Sequence, residues 1–499
     1  MVELDALLVE QTHGVDEHRG VTSQIIIAPM PCAEPLRDRS RLCIFDHALT
    51  CAPFEGKCMQ SIRWLVLAAL VGALAGSELT AAEPAGKDET AAPVEWIDPA
   101  TGHRVVRLSS EAGTRSMYFH QNSITPDGRF VITEGNSGIV AIEIATRVNQ
   151  LIVPGKARAL FVGRKTGLVY FSRSEGAGDS EQRTPTSVFA VPATGGEPRR
   201  VAQIERGFIG SINADETLLL GVYAERAYQL EQGPRDPRFD ANYAATGKDG
   251  KPLTFAEAKE VRLLQREQAR IPMAMFTVDT ATGQQTIIHR STDWLNHLQF
   301  SPTDPQSLMF CHEGPWHRVD RIWSMKLGKQ PKIVHRRTMN MEIAGHEFFD
   351  VDGKTIWYDL QTPRGEVFWL AAAAPDGQRR WYHVDRDQWS VHFNISPDGK
   401  HFAGDGGDEE MVAHAKDGKW LYLFTPQAIP DVVGISAPNA ADLVHPGTLR
   451  AERLVDMKKH DYRMEPNIIF TPDGKSLIFR SNMSGDVHTY MVELAKAAS

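Results

Sequence analysis

Cysteine is nearly absent from most of this 499-residue sequence. Only Cys311 lies beyond the first 58 residues, so the rest of the chain can form no internal disulfide. The other four cysteines are Cys32, Cys43, Cys51 and Cys58. A large domain that buries an adequate core does not need disulfides, even after export. Cys311 is most simply interpreted as a small, buried side chain.

An excess of positive charge is also absent. The sequence has 54 Lys and Arg residues against 63 Asp and Glu residues, a formal net charge of −9. Nucleic acid is therefore a poor partner, because phosphate binding needs a basic face. A local basic pocket for an acidic ligand is still allowed. There is no G-x-S-x-G elbow either, which argues against a hydrolase-associated propeller of the prolyl-peptidase kind.

Long apolar runs are lacking, except for the run Trp64–Gly76. Arg63 precedes it, and small residues follow it up to Ala82. This order is typical of a secretory signal peptide, and the run is too short to span a membrane comfortably. We therefore expect a mature chain that has no integral membrane segment and is periplasmic or secreted.

The signal-like run has an unusual position, because 58 residues precede Met59. We interpret residues 1–58 as a start-site artefact or tail, residues 59–82 as the signal peptide and residues 83–94 as a linker. The alternative is a genuine N-terminal tail followed by a buried apolar helix.

One phrase recurs along the rest of the chain: a strand, a turn of the Pro-Asp-Gly kind and a second strand. Pro presets φ and Gly accepts positive φ, so the turn is chemically specified. The seven copies begin at Ser123, Leu160, Ser211, Gln299, Phe348, Asn394 and Ile469. Units of this kind, repeated at intervals of roughly 40 to 90 residues, indicate the blades of a propeller.

The sequence therefore predicts an all-β fold over residues 95–497, a seven-bladed β-propeller with a helical insertion in one blade. The segment His103–Ser110 is expected to add an outer strand to the last blade and close the ring. The insertion at about Gln229–Ile271 has helical spacing of its apolar residues. We expect it between the second and third strands of its blade, as a wall or lid.

Polar residues directly precede five of the repeated phrases. In a propeller these positions lie at the starts of the innermost strands and point to the central channel. Four of the five phrases have a histidine at nearly the same place, which favours a functional cluster over structural histidines. The predicted channel residues include His120, Gln121, His297, His346, His392, Glu465 and Asn467. Such a ring can hold a divalent metal or transfer protons.

The stretch "FCHEGPWHRVDRIW", Phe310–Trp323, crowds ionisable groups into one connection. We interpret it as the outgoing strand and loop of one blade, which brings Arg321 to the channel. The same stretch is expected to line the pocket for an acidic ligand with His312, Glu313, His317 and Arg318. For Glu313 the alternative is that it caps the loop through backbone N–H groups.

Arginine binds carboxylates bidentately, and a histidine near a bound carboxylate can remove the adjacent proton. The charge that develops needs a cation beside it. This combination suits β-elimination on a uronic acid.

The segments "HLQFSPTDPQSLMFCHEGPWHRVDRIW", "GHEFF" and "VHFNISPDG" resemble the oligogalacturonate lyase family of polysaccharide lyases, over about residues 95 to 495. The resemblance implies a seven-bladed propeller that cleaves short oligogalacturonides from pectin by β-elimination, with a metal in the central cavity. It implies that His346 is the base, that Arg321 is the catalytic arginine and that His392 binds the metal.

The last blade departs from the family pattern. Where the pattern has a glutamine and two histidines, this chain has Tyr462, Glu465 and Asn467. Glu465 and Asn467 can still coordinate through oxygen beside His392, which favours Mn²⁺, Mg²⁺ or Ca²⁺. Loss of the metal is the alternative. The signal-like segment is a second departure, because the best-known members of the family are cytoplasmic.

A second function class is a non-catalytic periplasmic propeller that binds sugars or proteins, like the Tol-associated propellers. Ultraviolet absorbance separates the two classes, since only a lyase forms an unsaturated uronide product.

The apolar run behind Arg63 generates the first prediction. We expect the mature protein to begin near Ala82 and to lie outside the cytoplasm. N-terminal sequencing and cell fractionation check this, and soluble cytoplasmic protein beginning at Met1 or Val2 would contradict it.

Overall fold

The computed structural model describes residues 94–174, 185–228, 230, 246–247, 249–409 and 411–498. The predicted artefact, signal peptide and linker lie outside this range apart from Val94, so they stay predictions. Within the described ranges, no helix is both long and apolar enough to cross a membrane.

Antiparallel β-strands make up nearly all of the regular secondary structure in the described chain. The first two strands, β1 (Glu95–Ile97) and β2 (His103–Arg107), precede the first blade. Blade 1 contains β3 (Arg115–Ser116), β4 (Phe130–Gly135), β5 (Gly138–Glu143) and β6 (Asn149–Pro154). Blade 2 contains β7 (Arg158–Val162), β8 (Leu168–Ser174), β9 (Thr186–Pro192) and β10 (Arg199–Ile204).

The next two blades carry the inserted helix and the crowded stretch. Blade 3 contains β11 (Phe208–Ile212), β12 (Leu218–Ala224), the helix α1 (Phe255–Ala269), β13 (Met273–Asp279) and β14 (Gln285–Ser291). Blade 4 contains β15 (Trp294–Phe300), β16 (Ser307–Glu313), β17 (Ile322–Lys326) and β18 (Lys332–Ile333). The helix therefore lies between the second and third strands of its blade, as predicted.

The last three blades follow the same order. Blade 5 contains β19 (Ile343–Phe349), β20 (Ile356–Gln361), β21 (Phe368–Ala373) and β22 (Arg379–Val384). Blade 6 contains β23 (Phe393–Ile395), β24 (Phe402–Gly404), β25 (Trp420–Ala428) and β26 (Val444–Asp456). Blade 7 contains β27 (Ile469–Phe470), β28 (Ser476–Ser484) and β29 (Asp486–Lys496). Two 3₁₀ turns lie at Arg386–Gln388 and Ala440–Asp442.

The ring closes by pairing the first strands with the last blade. Strand β2 pairs antiparallel with β29, from His103 opposite Lys496 to Arg107 opposite Tyr490, and β1 pairs with β2. Blades 5 and 6 share one eight-stranded sheet, because β22 pairs in parallel with β26. The all-β, seven-bladed propeller with one helical insertion is therefore confirmed.

The repeated turns have the local chemistry that their sequence predicts. In blade 1 the Thr125 hydroxyl donates to Asp127 at 2.6 Å, and Gly128 has a φ of +71°. In blade 7 the Thr471 hydroxyl donates to Asp473 at 2.6 Å. Each turn joins an innermost strand to the second strand of its blade, so the register of the hairpin is fixed locally.

The apolar core lies between neighbouring blades. Trp357 of blade 5 packs edge-on against Phe402 of blade 6, with ring centroids 4.7 Å apart. Buried clusters of this kind join blade to blade around the ring. Since the apolar side chains are buried between the blades, the core does not need the axis, and polar side chains there are available for binding or chemistry.

Candidate active site

Two cavities lie on the axis, at opposite ends of the innermost strands. One has a volume of about 510 Å³ and is lined by residues early in β15 and β19 together with α1. The other has a volume of about 400 Å³ and is lined by residues after the ends of the same strands. We call these the helix-side cavity and the turn-side cavity.

A β-bulge directs a histidine into the helix-side cavity from each of blades 4 and 5. The register of β15 against β16 shifts between Asn296 and Gln299, and that of β19 against β20 shifts between Gly345 and Phe348. His297 and His346 lie within these shifts and have φ values of +47° and +45°. Such strained conformations cost about 1–3 kcal/mol each and cluster at functional sites.

His346 has the geometry of an oriented base. Its Nδ1 lies 2.8 Å from Oδ1 of Asp359, which is nearly fully buried on the neighbouring strand β20. No described residue hydrogen-bonds its Nε2, and the side chain remains 23% exposed in the cavity. An ionised Asp359 selects the tautomer with the proton on Nδ1, which leaves the Nε2 lone pair free.

Arg321 is held in the wall of the same cavity by two glutamates. Its Nε donates to Oε2 of Glu347 at 3.1 Å, and its Nη1 lies 3.9 Å from Oε1 of Glu313. Burial alone would lower the pKa of Arg321, but the neighbouring Cys311 and the carboxylates of Glu347 and Glu313 raise it well above its usual value. Arg321 is therefore a fixed cation at the cavity.

Glu313 and His297 form a coupled pair beside Arg321. Burial is the largest influence on both, since it raises the pKa of Glu313 and lowers that of His297. Beyond burial, His297 and then Arg321 lower the pKa of Glu313, and Arg321 lowers that of His297. We assign an ionised Glu313 and a neutral His297, whose pKa is about 3. Glu313 accepts from the Asn296 side chain at 2.6 Å, so the predicted alternative of a backbone cap does not describe its side chain.

The predicted metal ligands lie between blades 6 and 7. His392 is fully buried, its Nδ1 lies 2.8 Å from Asp405, and its Nε2 lies 3.7 Å from Oε2 of Glu465. Burial alone would raise the pKa of Glu465, but His392 and other cationic groups lower it to about 2. A carboxylate that orients a histidine is a common support for a metal ligand.

Asn467 differs from its predicted role as a ligand. Its side-chain oxygen accepts the backbone N–H of Phe119 at 3.0 Å, and its NH₂ donates to the backbone oxygen of Glu465. Both ends of the amide are thus engaged with the backbone. In the described ranges no three His, Cys, Asp or Glu side chains converge on one metal position. Of the three predicted ligands, His392 and Glu465 therefore remain, and an imidazole nitrogen with a carboxylate oxygen suits a divalent cation.

The predicted substrate-binding residues do not all reach one cavity. His297 and Glu313 line the helix-side cavity, whereas His120 and Gln121 line the turn-side cavity. Burial lowers the pKa of His120 to about 3, so its ring is neutral. The sequence could not show which pair lines which cavity. The channel has two ends, and a difference of a few residues in position along an innermost strand moves a side chain from one end to the other.

His312, His317 and Arg318 are not among the residues that line either cavity. His312 lies 3.2 Å from Asp293. His317 and Arg318 face acidic residues of α1, which we describe below. These side chains are instead paired with acids of neighbouring elements, and their contact with substrate stays a prediction. Cys311 is fully buried, as expected, and burial raises the pKa of its thiol well above its usual value.

Sequence reasoning missed Asp359 and Asp405, the carboxylates that orient His346 and His392. Each lies 13 residues after its histidine: Asp359 is on the next strand of its blade, β20, and Asp405 directly follows the next strand of its blade, β24. An acidic residue within an otherwise apolar strand such as "TIWYDLQ" was the available signal.

Known proteins with similar sequences and structures support one family. The family model described as oligogalacturonate lyase matches residues 248–498. The oligogalacturonide lyase of Pectobacterium atrosepticum is 22% identical over 419 residues, which cover 80% of this chain and 95% of that protein. The oligogalacturonate lyase of Dickeya dadantii is 24% identical over 228 residues, which cover 44% and 55%.

Two solved structures have the same fold with a TM-score of 0.60, and each comparison covers 81% of this chain and 96% of the other. One is an oligogalacturonate lyase in complex with manganese, 22% identical, and the other is the oligogalacturonate lyase from Vibrio parahaemolyticus, 19% identical. Since the family model matches just over half of the sequence, this chain belongs to the oligogalacturonate lyase family.

Proposed function

We propose that this protein is an oligogalacturonide lyase, which cleaves short uronic-acid oligosaccharides by β-elimination. The observation that carries the proposal is the pairing of a histidine that has a free Nε2, His346, with a fixed cation, Arg321, in one cavity. Membership of the lyase family supports the same reaction. Export, as expected from the segment 59–82, is part of the proposal.

The residues of the cavity can perform the elimination without a covalent intermediate. Nε2 of His346 accepts the proton from the carbon next to the carboxylate. The electrons of that C–H bond form a C=C double bond as the glycosidic C–O bond breaks, and the leaving oxygen takes up a proton. The guanidinium of Arg321 stabilises the negative charge that develops on the carboxylate. An unsaturated uronide and a shortened saccharide are the products.

A divalent cation, with manganese as the first candidate and magnesium or calcium as the others, is a further part of the proposal. His392 and Glu465 would hold it, because Nε2 of the buried His392 lies 3.7 Å from Oε2 of Glu465, which lines the cavity. When bound, such an ion makes the proton next to a coordinated carboxylate more acidic. The manganese in a solved relative supports this assignment.

The second prediction concerns the base. His346→Ala should lower turnover of trigalacturonate by roughly 10² to 10⁴, the usual contribution of general base catalysis. The formation of ultraviolet-absorbing product measures it, and circular dichroism should show an intact fold. His383→Ala is the matched control, since His383 is 41% exposed on β22 of the same blade. Near-normal turnover of His346→Ala would remove this residue from the role.

The third prediction concerns Asp359 as a positioning residue. Asp359→Asn replaces the acceptor by an amide that can donate to Nδ1, which moves the proton to Nε2 and removes the free lone pair. We expect kcat to fall roughly 10² to 10⁴ with KM nearly unchanged. Nitrogen-15 NMR of the His346 ring should show the change of tautomer. If the ring keeps its tautomer and kcat still falls, Asp359 does not act through His346.

The fourth prediction concerns the cation. A chelator should abolish turnover, and Mn²⁺, Mg²⁺ or Ca²⁺ should restore it. Glu465→Gln should demand more metal for half-activity, because it removes the negative charge beside His392. Glu452→Gln is the control, since this exposed carboxylate lies on the outer strand β26. Full activity after chelation, with no metal found in the protein, would leave the elimination to His346 and Arg321 alone.

A further inference from the structure

The inserted helix α1 forms part of the wall of the helix-side cavity and is firmly anchored. Thr254 and Glu257 form a capping box at its start, with the Thr254 N–H donating to the Glu257 carboxylate at 2.9 Å. Nη1 of Arg364 in blade 5 lies 2.9 Å from both carboxylate oxygens of Glu260. The helix is therefore held to blade 5 at the turn that faces the axis.

The crowded stretch after β16 anchors the same helix from blade 4. Nδ1 of His317 lies 3.1 Å from Glu260, and Nη2 of Arg318 lies 3.6 Å from Glu267. The residues that sequence reasoning assigned to substrate thus fix the position of the helix. As a result, Lys259, which directly precedes Glu260 in the helix, has a defined place at the cavity.

Lys259 lines the helix-side cavity as a half-buried cation. Among the described residues no carboxylate lies within 4.0 Å of its Nζ, and its neighbour Glu260 is already paired with Arg364. Burial raises the pKa of Glu313, whereas His297, Arg321 and then Lys259 lower it. Its charge therefore acts on the interior of the cavity.

Trp316 lies beside Lys259 in the same cavity wall. The lysine Nζ is 6.0 Å from the centroid of the tryptophan ring, and Cζ of Arg364 is 5.7 Å from it. Trp316 belongs to the connection that carries Arg321, so the indole and the guanidinium are five residues apart in one segment. Binding pockets for polar ligands commonly combine an aromatic wall with a few placed charges.

We propose that Lys259 and Trp316 form a second uronate subsite, separate from the reacting position at His346 and Arg321. Lys259 binds the carboxylate of a neighbouring sugar, and Trp316 contacts the apolar side of its ring. The inference rests on the proposed function, because it assigns a second acidic sugar of the same oligosaccharide. The volume of about 510 Å³ suits a short oligosaccharide, since small-ligand pockets occupy about 300–1,000 Å³.

If Lys259 has only a structural role, its removal should affect ligand binding differently from its removal from a uronate subsite. A half-buried lysine often lays its apolar stem on the protein and extends its charge to water. In that case removal of the charge changes stability little and leaves ligand affinity unchanged. In a uronate subsite, removal of the charge weakens the binding of an acidic ligand, and the loss is largest at low salt.

The fifth prediction uses His346→Ala as the background, so that trigalacturonate binds without being consumed. Titration calorimetry should give a dissociation constant about tenfold higher when Lys259→Met is added, equal to about 1.4 kcal/mol. Lys259→Arg should keep the constant within about threefold of the background. Lys251→Met is the matched control, because this lysine precedes the same helix and its side chain is 82% exposed.

Salt dependence supplies the second readout. The affinity of the background protein should fall as salt rises, and Lys259→Met should flatten this dependence. The thermal unfolding midpoint and circular dichroism of Lys259→Met should match those of the background. Trp316→Leu should also raise the dissociation constant, with the salt dependence preserved.

The outcomes separate the two proposals. If the wild-type protein cleaves trigalacturonate and Lys259→Met binds it as tightly as the background does, the subsite is wrong and the lyase assignment stands. If the wild-type protein neither binds nor cleaves uronide oligomers, the proposed function fails and the subsite fails with it. A tenfold weaker affinity in Lys259→Met but not in Lys251→Met supports the subsite.

Discussion

The candidate site depends on a break in the pairing of two innermost strands. In a regular strand successive side chains point to opposite faces, so an uninterrupted β19 would not direct both His346 and Glu347 to useful positions. The bulge lets His346 meet Asp359 while Glu347 meets Arg321. The strain is tolerated because neighbours hold the segment, as when the Gln299 side chain donates to the backbone oxygen of Glu347 at 2.8 Å.

The bulge also explains how the charge of the buried Arg321 is compensated, because it directs Glu347 to the guanidinium. A buried ion pair adds little stability by itself, but loss of one partner leaves a costly unpaired charge. Arg321 is 6% exposed and Glu347 is fully buried, so the guanidinium is fixed before any ligand arrives. An anionic ligand therefore meets a cation that needs no reorganisation, which is the condition for effective stabilisation of developing charge.

The fold could be predicted from sequence because its information is local. Each Pro-Asp-Gly turn specifies its own hairpin, and the segment that contains β2 could only be an added outer strand. The site was less predictable because it depends on contacts between elements. Asp359 meets His346 through the register of two strands, and His317 faces Glu260 of a helix inserted in another blade. A histidine before a turn identified the axis, but it did not show which end of the axis each side chain would reach.

The last blade lacks the glutamine and two histidines of the family pattern, which changes the ligands available for a metal. Asn467 has a φ of +54°, and its amide oxygen accepts the backbone N–H of Phe119, so its side chain connects blade 7 to blade 1. His392 and Glu465 remain as the predicted ligand pair, of which Glu465 lines the helix-side cavity and His392 is fully buried. A cation with two protein ligands must complete its coordination with water or substrate, so the affinities for the cation and for an acidic sugar become linked. The charges of Arg321 and Lys259 do not depend on that linkage, because each is fixed by the protein itself. These two cations therefore contribute positive charge to the helix-side cavity whether or not a metal ion is bound.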